Sequence, residues 1–489
     1  MKRKWLGRPG PIVNVLGRDG PTTFPQPRGS IMIIAIATVL ILSSLLLVFV
    51  REMRVESQAA ANRASALQAA AIARGAIAYV NNHLTNNQDP ISLDTEMICE
   101  ASQLGDGYFW ILRPDGTDET KYAFGLQDEA SKLNLNTATY DQLLALPNMT
   151  TDLAASIVDW RDADDDVSNQ GGAESEYYQQ LQPDSYYCKN APFETLEEIL
   201  LVKGATKDLL YATDANHNGV VDATESGGNA SATLAGINGN ARCGIMKYLT
   251  VYSQEANTDA NGRPRTNINT ATNDQLTQLL GKYVSGSRMT EILAKARTAK
   301  PFRSIFDFYF KLGLAPEEFK KVADKITIDP GKIIQGRVNV NTAPKEVLSC
   351  LPGLDASDAD ALIALRSSSG ADLTSVAWVL TAVTQAKAVG ISNFITVKTK
   401  RFSADIVAAS GDGRGFKRLR CVFDVSGTAP KLLFSKDMTH LGWPLDPQLL
   451  SDLRVGRAPA SQSTPFSGNS QGPQSSNSAG SSSSFGGSR

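Results

Sequence analysis

Residues 30–50 read SIMIIAIATVLILSSLLLVFV, 21 positions without a charge. As an α-helix this stretch rises about 31 Å at 1.5 Å per residue, which matches the hydrocarbon core of a bilayer. It is longer than the apolar core of a cleaved secretory signal. A helix that is apolar all round has no face to turn to water, so the span is expected in lipid. Before it lie Lys2, Arg3, Lys4, Arg8, Arg18 and Arg28, opposed only by Asp19. That excess predicts a cytoplasmic amino terminus, with the rest of the chain across the membrane. After it, Arg51 to Val80 is rich in alanine, lacks proline and has Gly75 as its only glycine. This composition predicts that the same helix continues outward. Val55, Ala59, Ala66, Ala70, Ile72 and Ile77 are its candidate packing positions.

The chain has 489 residues, enough for two or three globular units at about 100–200 residues each. Its formal net charge of −2 gives no global attraction to nucleic acid or to acidic membranes. Cys99, Cys188, Cys243, Cys350 and Cys421 lie far apart, and no two form a CxxC pair, so zinc and thioredoxin-like readings are weak. Their odd number leaves at least one unpaired within the chain. His83, His217 and His440 form no cluster, which argues against histidine-based catalysis.

Three stretches repeat one pattern. KLNLNTATYDQLLAL (132–146), TNINTATNDQLTQLL (266–280) and RVNVNTAPKEVLSCL (337–351) each carry two asparagines two apart, then Thr-Ala, then a helical pattern. The pairs are Asn134 and Asn136, Asn267 and Asn269, and Asn339 and Asn341. Asparagine satisfies free backbone groups at turns and helix starts, so each copy predicts a short extended piece, a capped turn and a helix. The uneven spacing excludes a solenoid. The first and third copies lead into LPNMTTDLAASIVDWR (146–161) and LPGLDASDADALIALR (351–366), which resemble helix-hairpin-helix motifs. DNA-binding hairpins present backbone N–H groups to a phosphate beside a helix N-terminus. Here Thr150 and Asp355 replace the second hairpin glycine. Asp152, Asp159, Asp355, Asp358 and Asp360 would repel phosphate, and no basic face accompanies these turns, so packing rather than nucleic-acid binding is expected.

Residues 394–410, FITVKTKRFSADIVAAS, and 415–425, GFKRLRCVFDV, are strand-like and flank the turn signal Gly411–Gly415. With Gly107–Leu112 (GYFWIL) they predict an antiparallel sheet against the first helix, with Val397, Ile406, Val407, Leu419, Val422 and Phe423 facing one core. The tail from Ala458 to Arg489 is mostly Ser, Gly, Asn, Gln and Pro, too poor in apolar residues to fold.

One segment carries a sharp chemical signal. Asp214–Glu225 (DANHNGVVDATE) fits a twelve-residue calcium loop position by position. Asp214, Asn216 and Asn218 supply oxygens at the first, third and fifth places, and Gly219 gives the turn at the sixth. The Val220 carbonyl, Asp222 and the bidentate Glu225 complete the set. Calcium, a large hard cation, requires such a ring of oxygens. His217 falls at a non-ligand place and is expected on the surface. A second acidic group, Asp162, Asp164 and Asp166 with Asp165 between them and Glu174 and Glu176 beyond, is a weaker candidate cation site without diagnostic spacing. No nucleophile or cation accompanies these carboxylates, so acid–base catalysis is not expected and the chain does not read as an enzyme.

A basic leader ending in Gly29, an unbroken apolar span and a soluble helix together resemble type IV prepilin-like proteins. That resemblance implies peptidase cleavage between Gly29 and Ser30 on the cytoplasmic face of the membrane. Most such proteins carry glutamate at the fifth mature position, which here is Ile34; the minor pseudopilin K of type II secretion typically lacks it. AFGLQDEASKLNLNTA (123–138), NAPFETLEEILLVKGAT (190–206) and VNVNTAPKEVLSCLPGL (338–354) are similar to that family too, from the leader to about Pro444. The resemblance implies an α+β fold: a transmembrane helix running into a pilin-like head, with a large helical domain inserted. The expected parts are a leader at 1–29, the span at 30–50, a long helix and the first part of the head at 51–131, the insert with its calcium loop at 132–389, carboxyl-terminal strands at 390–457 and a tail at 458–489. It implies calcium in the insert, the I and J minor pseudopilins, the prepilin peptidase and the inner-membrane secretion platform as partners, and a single-pass inner-membrane protein with a periplasmic head. Its role would be assembly at the pseudopilus tip in support of protein export. The rival expectations are a membrane-anchored DNA-binding protein of the competence type and a membrane-anchored hydrolase.

Overall fold

In a computed structural model, residues 30–86, 97–115, 121–221, 225, 243–368 and 370–460 are described. Helix α1 spans Ser30–Asn86 without a break. The chain divides into two compact units between Ala61 and Asn62. In the first, every side chain from Ile31 to Val50 is exposed, including Ile31, Leu47 and Phe49. An exposed run of twenty uncharged, mostly apolar side chains has no stable place in water, and this helix is long and apolar enough to anchor the chain in a membrane.

In the second unit, α1 buries Ala69, Ile72, Ala73, Ala76, Val80 and Leu84. Their spacing of three and four draws one stripe along the helix. Of the positions suggested by sequence, Ile72 lies in this stripe and Ile77 packs at its margin, whereas Ala66 is exposed. The stripe covers one face of a seven-stranded antiparallel sheet. Its strands are β1 (Ser102–Leu104), β2 (Gly107–Pro114), β3 (Tyr122–Phe124), β4 (Gln127–Asp128), β5 (Arg401–Ala409), β6 (Phe416–Asp424) and β7 (Lys431–Asp437), with the main order β1-β2-β5-β6-β7. β3 pairs with β2, and β4 pairs with β5. Phe109, Ile111, Phe402, Ala404, Ile406, Ala408, Cys421 and Phe423 meet the helix. Trp110, Leu112, Val407 and Ala409 point the other way and pack with Leu445 and Leu453. Gly415 lets the β5–β6 turn approach α1: a Cβ there would lie 2.4 Å from the Ser65 carbonyl carbon. Ser65 Oγ also donates to Asp412 in that turn at 2.7 Å.

Three sequence expectations change here. Ile406 and Val407 are neighbours on one strand, so they face opposite sides of the sheet and cannot share a core. Val397 belongs to the helical core instead. The single strand expected over 394–410 is two: Ile395–Thr396 pairs with Val338–Asn339, and only from Arg401 does the chain join the sheet. β7 was not foreseen; it is an edge strand whose residues are exposed or half-buried, so it shows no clear alternation.

Between β4 and β5 the chain builds a helical region around one large core. The three Asn-rich copies have one local structure. Leu133–Asn134, Thr266–Asn267 and Val338–Asn339 each form a two-residue strand, paired in parallel with Leu249–Thr250, Ile326–Thr327 and Ile395–Thr396 respectively. The first asparagine of each copy accepts the N–H two residues on, at 2.9, 3.0 and 3.1 Å. The second reaches a later segment, donating to the carbonyls of Phe193, Phe302 and Leu373 at 2.9, 3.0 and 2.9 Å. Capping boxes, Thr139 with Gln142 and Thr272 with Gln275, start the following helices in the first two copies.

Candidate metal centre

Two polar sites on the helical region merit a chemical reading. The first is the loop that follows the helix Lys207–Tyr211. Asp214, Asn216 and Asn218 are all buried, and their oxygens close the loop on itself. Asp214 accepts the N–H of Asn218 at 3.0 Å and of Gly219 at 2.8 Å. Asn216 Oδ1 also accepts from Asn218 N–H at 3.0 Å, and Asn218 Oδ1 from Val220 N–H at 2.8 Å. Glu225 returns to the start, accepting the Asn216 N–H at 3.0 Å. Gly219 has φ +81°, and a Cβ there would stand 2.6 Å from Pro114 Cγ, so glycine is required twice over. Burial pushes the Asp214 carboxyl up to about 6; the Gly219 N–H opposes this, and the neighbouring Glu225 charge adds to it. Crowded carboxylates in a buried loop are the arrangement a cation relieves, and the hard-oxygen donor set fits calcium. Asp222 lies outside the described residues. His217, expected on the surface, is half-buried and stacked on Tyr211 with ring centroids 3.6 Å apart.

The second site forms where α3 (Thr151–Arg161), the longer helix after the short α2 (Tyr140–Leu144), runs out. Of the predicted residues, Asp162 belongs to it, and its Oδ1 is buried without a hydrogen-bond partner. Asp164 instead accepts the Asp166 N–H at 3.1 Å, and Asp166 is exposed. The fold brings in others. Asp159 is fully buried and accepts Ser168 N–H at 3.1 Å. Asp165 accepts Asn190 Nδ2 at 3.0 Å. Glu174 is 2% exposed, and neither of its oxygens has a hydrogen-bond partner; Asn190 Oδ1 is buried in the same state. Burial pushes the Glu174 carboxyl up to about 7, the Cys188 thiol offsets part of this, and the charges of Asp159, Asp162 and Asp165 raise it further. Buried oxygens without donors are costly unless something positive meets them, so this donor set also fits a hard cation. Among the described residues no three Asp, Glu, His or Cys side chains form a ready metal centre, so neutral oxygens must complete either set. Glu174 was already part of the acidic group read from sequence; Asn190 gave no signal, because only tertiary folding places it beside Asp162.

The hairpins differ in what their helix starts could offer a phosphate. In the first, Thr150 Oγ1 accepts the Leu153 N–H at 3.2 Å. The third hairpin joins Lys345–Ser349 to Ala356–Arg366, and there Asp355 Oδ1 accepts the N–H groups of Ser357 and Asp358 at 2.8 and 3.0 Å. The amides a phosphate would use are already held by side chains, one of them anionic. The middle hairpin, Asn273–Leu280 to Gly286–Ala299, differs: Ser285 makes no side-chain cap, no acidic residue stands in the first turn, and Lys282 is exposed. All five cysteines are buried, and none is joined in a disulfide.

An apolar anchoring helix, a sheet packed on that helix's continuation and a helical region set between two strands of the sheet define a membrane-anchored pilin-like α+β protein. Residues 123–213 and 338–398 both match the family described as Type II secretion system (T2SS), protein K. Over those two segments the chain is similar to this family of minor pseudopilins. No curated protein matches it. A solved structure, the GspK-GspI-GspJ complex from the enterotoxigenic Escherichia coli type 2 secretion system, is similar over 76% of this chain and 96% of that chain, with 11% identity and a TM-score of 0.32; so loose a likeness carries no argument.

Proposed function

We propose that this chain is a minor pseudopilin, a non-enzymatic assembly component that caps the pseudopilus and supports protein export across the outer membrane. The observation that carries the reading is the pair of family matches at the two ends of the helical region, in a chain whose anchor is an exposed apolar helix. The prepilin peptidase cuts between Gly29, which lies outside the described residues, and Ser30, which opens α1. The head stands in the periplasm, and the apolar helix passes from the inner-membrane platform into a bundle of similar helices. Ile34 in place of a glutamate suits a subunit with none ahead of it. The partners are the I and J components, as the resemblance to the K family implies. Calcium binds the loop Asp214, Asn216, Asn218, Val220, Asp222 and Glu225, and a second ion sits by Asp162 and Glu174. Co-purification of the full chain with I and J pseudopilins tests the reading: a stable three-part complex is expected, and its absence in detergent and in membranes would overturn it.

A second reading, a membrane-anchored DNA-binding protein, has one observation in its favour, the uncapped and basic middle hairpin. It requires duplex binding that weakens steeply with salt and is lost in Lys282→Glu. Binding no stronger than that of an acidic control protein at physiological salt is the result expected here.

A further inference from the structure

The loop Asp214–Glu225 has a second face. Arg418 Nη1 on β6 donates to the Asn216 carbonyl at 2.5 Å, and its Nη2 donates to that of His217 at 3.4 Å. Arg420 Nη2 donates to the His217 carbonyl at 2.6 Å. Both guanidinium groups are paired with Asp405 on β5, at 2.6 and 3.4 Å. Arg418 is fully buried. A buried guanidinium with a single carboxylate still has donors to satisfy, and the loop carbonyls supply acceptors. Nearby, Asn218 Nδ2 donates to the Pro444 carbonyl at 3.2 Å, and Gly219 lies against Pro114 at the end of β2.

The peptide unit between His217 and Asn218 joins the two faces. Its N–H is held by Asp214 and Asn216, the candidate cation ligands, and its C=O is held by Arg418 and Arg420. Because a peptide unit is planar and rigid, fixing one end orients the other. We propose that this loop is a latch between the helical region and the sheet, in which a cation bound by the loop oxygens sets how firmly the two are joined. The proposal rests on the calcium reading above and adds a consequence of it. With the cation bound, Asp214 and Asn216 stay fixed and hold the His217 carbonyl on the arginines. Without it, repulsion between Asp214 and Glu225 loosens the loop and with it the sheet contact. A cavity of about 90 Å³ beside the latch, lined in part by Asp214, His217, Asp405 and Arg420, gives the loop room to move.

The test uses the full chain in detergent. Calcium affinity is measured by titration calorimetry, and amide exchange of residues 416–424 is followed in chelator and in saturating calcium. Arg420 is the residue to change, because it is partly exposed and its loss leaves Arg418 to pair with Asp405. In the wild type, calcium slows exchange in the loop and in β6 together. In Arg420→Gln the gain in β6 shrinks, and calcium binds about 5-fold more weakly, because coupling between sites is reciprocal. Arg420→Lys, which keeps one donor, falls between. Wild-type affinity and wild-type β6 protection in Arg420→Gln would overturn the latch and leave the calcium site standing. Absence of calcium binding in the wild type would overturn both.

Discussion

Asp355 and Thr150 do one job with different chemistry, each holding the first amides of a helix. Thr150→Ala removes the acceptor of the Leu153 N–H and is expected to cost about 1 kcal/mol in a urea-unfolding measurement. The Asp355 carboxyl is held well below the usual carboxylate range by the Ser357 hydroxyl, the Asp358 N–H and Lys387. A folded value below the unfolded one means that its contribution is present above the unfolded value and is lost as pH falls toward the folded one. The stability difference between wild type and Asp355→Ala should therefore be largest near neutrality and narrow steadily below about pH 4. A difference independent of pH would show that Asp355 contributes nothing as a charge. The thiols make a further residue-scale prediction. Burial pushes Cys99 and Cys421 up to about 11, and Cys188 and Cys350 up to about 12. With the thiolate suppressed and access closed, a thiol-specific reagent should label almost none of the five cysteines in the native protein and all of them after unfolding. Fewer labelled on unfolding without reductant would reveal a disulfide.

At the scale of elements, the second asparagine of each repeat acts as a strap. Asn136 accepts the Phe193 N–H at 2.7 Å and donates to the Phe193 carbonyl at 2.9 Å, tying together segments 57 residues apart. Asn136→Ala leaves both backbone groups without a partner and should cost about 2–3 kcal/mol by chemical denaturation, whereas Asn136→Asp keeps the acceptor and should cost less. Equal losses would mean that the acceptor half carries no weight. The asparagine spacing was legible from sequence because it is local chemistry: a side-chain oxygen reaching an amide two residues on needs no knowledge of the fold. The straps to Phe193, Phe302 and Leu373 were not legible, since nothing local says which later segment returns. The same divide runs through the sheet. β2, β5 and β6 announced themselves by apolar and β-branched runs, but β7 is an edge strand, and the assignment of Ile406 and Val407 to opposite faces follows only from alternation along a placed strand. In the candidate metal centre, the calcium-like loop could be read because its residues are consecutive; Glu174 could be named only as part of an acidic group, and Asn190 not at all, because folding gathers them.

For the molecule as a whole, the two candidate cation sites are expected to make separable contributions to stability. Any ligand that binds only the folded state raises stability with occupancy. Calcium sites in extracellular modules bind at about 10⁻⁴–10⁻³ M. Millimolar calcium is about one to ten times such a dissociation constant, so one site contributes about 0.4–1.4 kcal/mol, enough to move a melting transition by a degree or more. The full chain in detergent should therefore melt higher in millimolar calcium than in chelator. Glu225→Ala removes the twelfth-position carboxylate of the loop and should abolish that site's share while leaving the other. Glu174→Gln acts differently. It removes a carboxylate that is buried without a partner, so in chelator the variant should be as stable as wild type or more so, and in calcium it should fall behind. That crossing of the two melting series separates a cation site from a merely packed acidic pocket, for which the substitution would shift both series alike. The double variant should not respond to calcium at all. A wild-type response retained in the double variant would place the ion elsewhere in the chain.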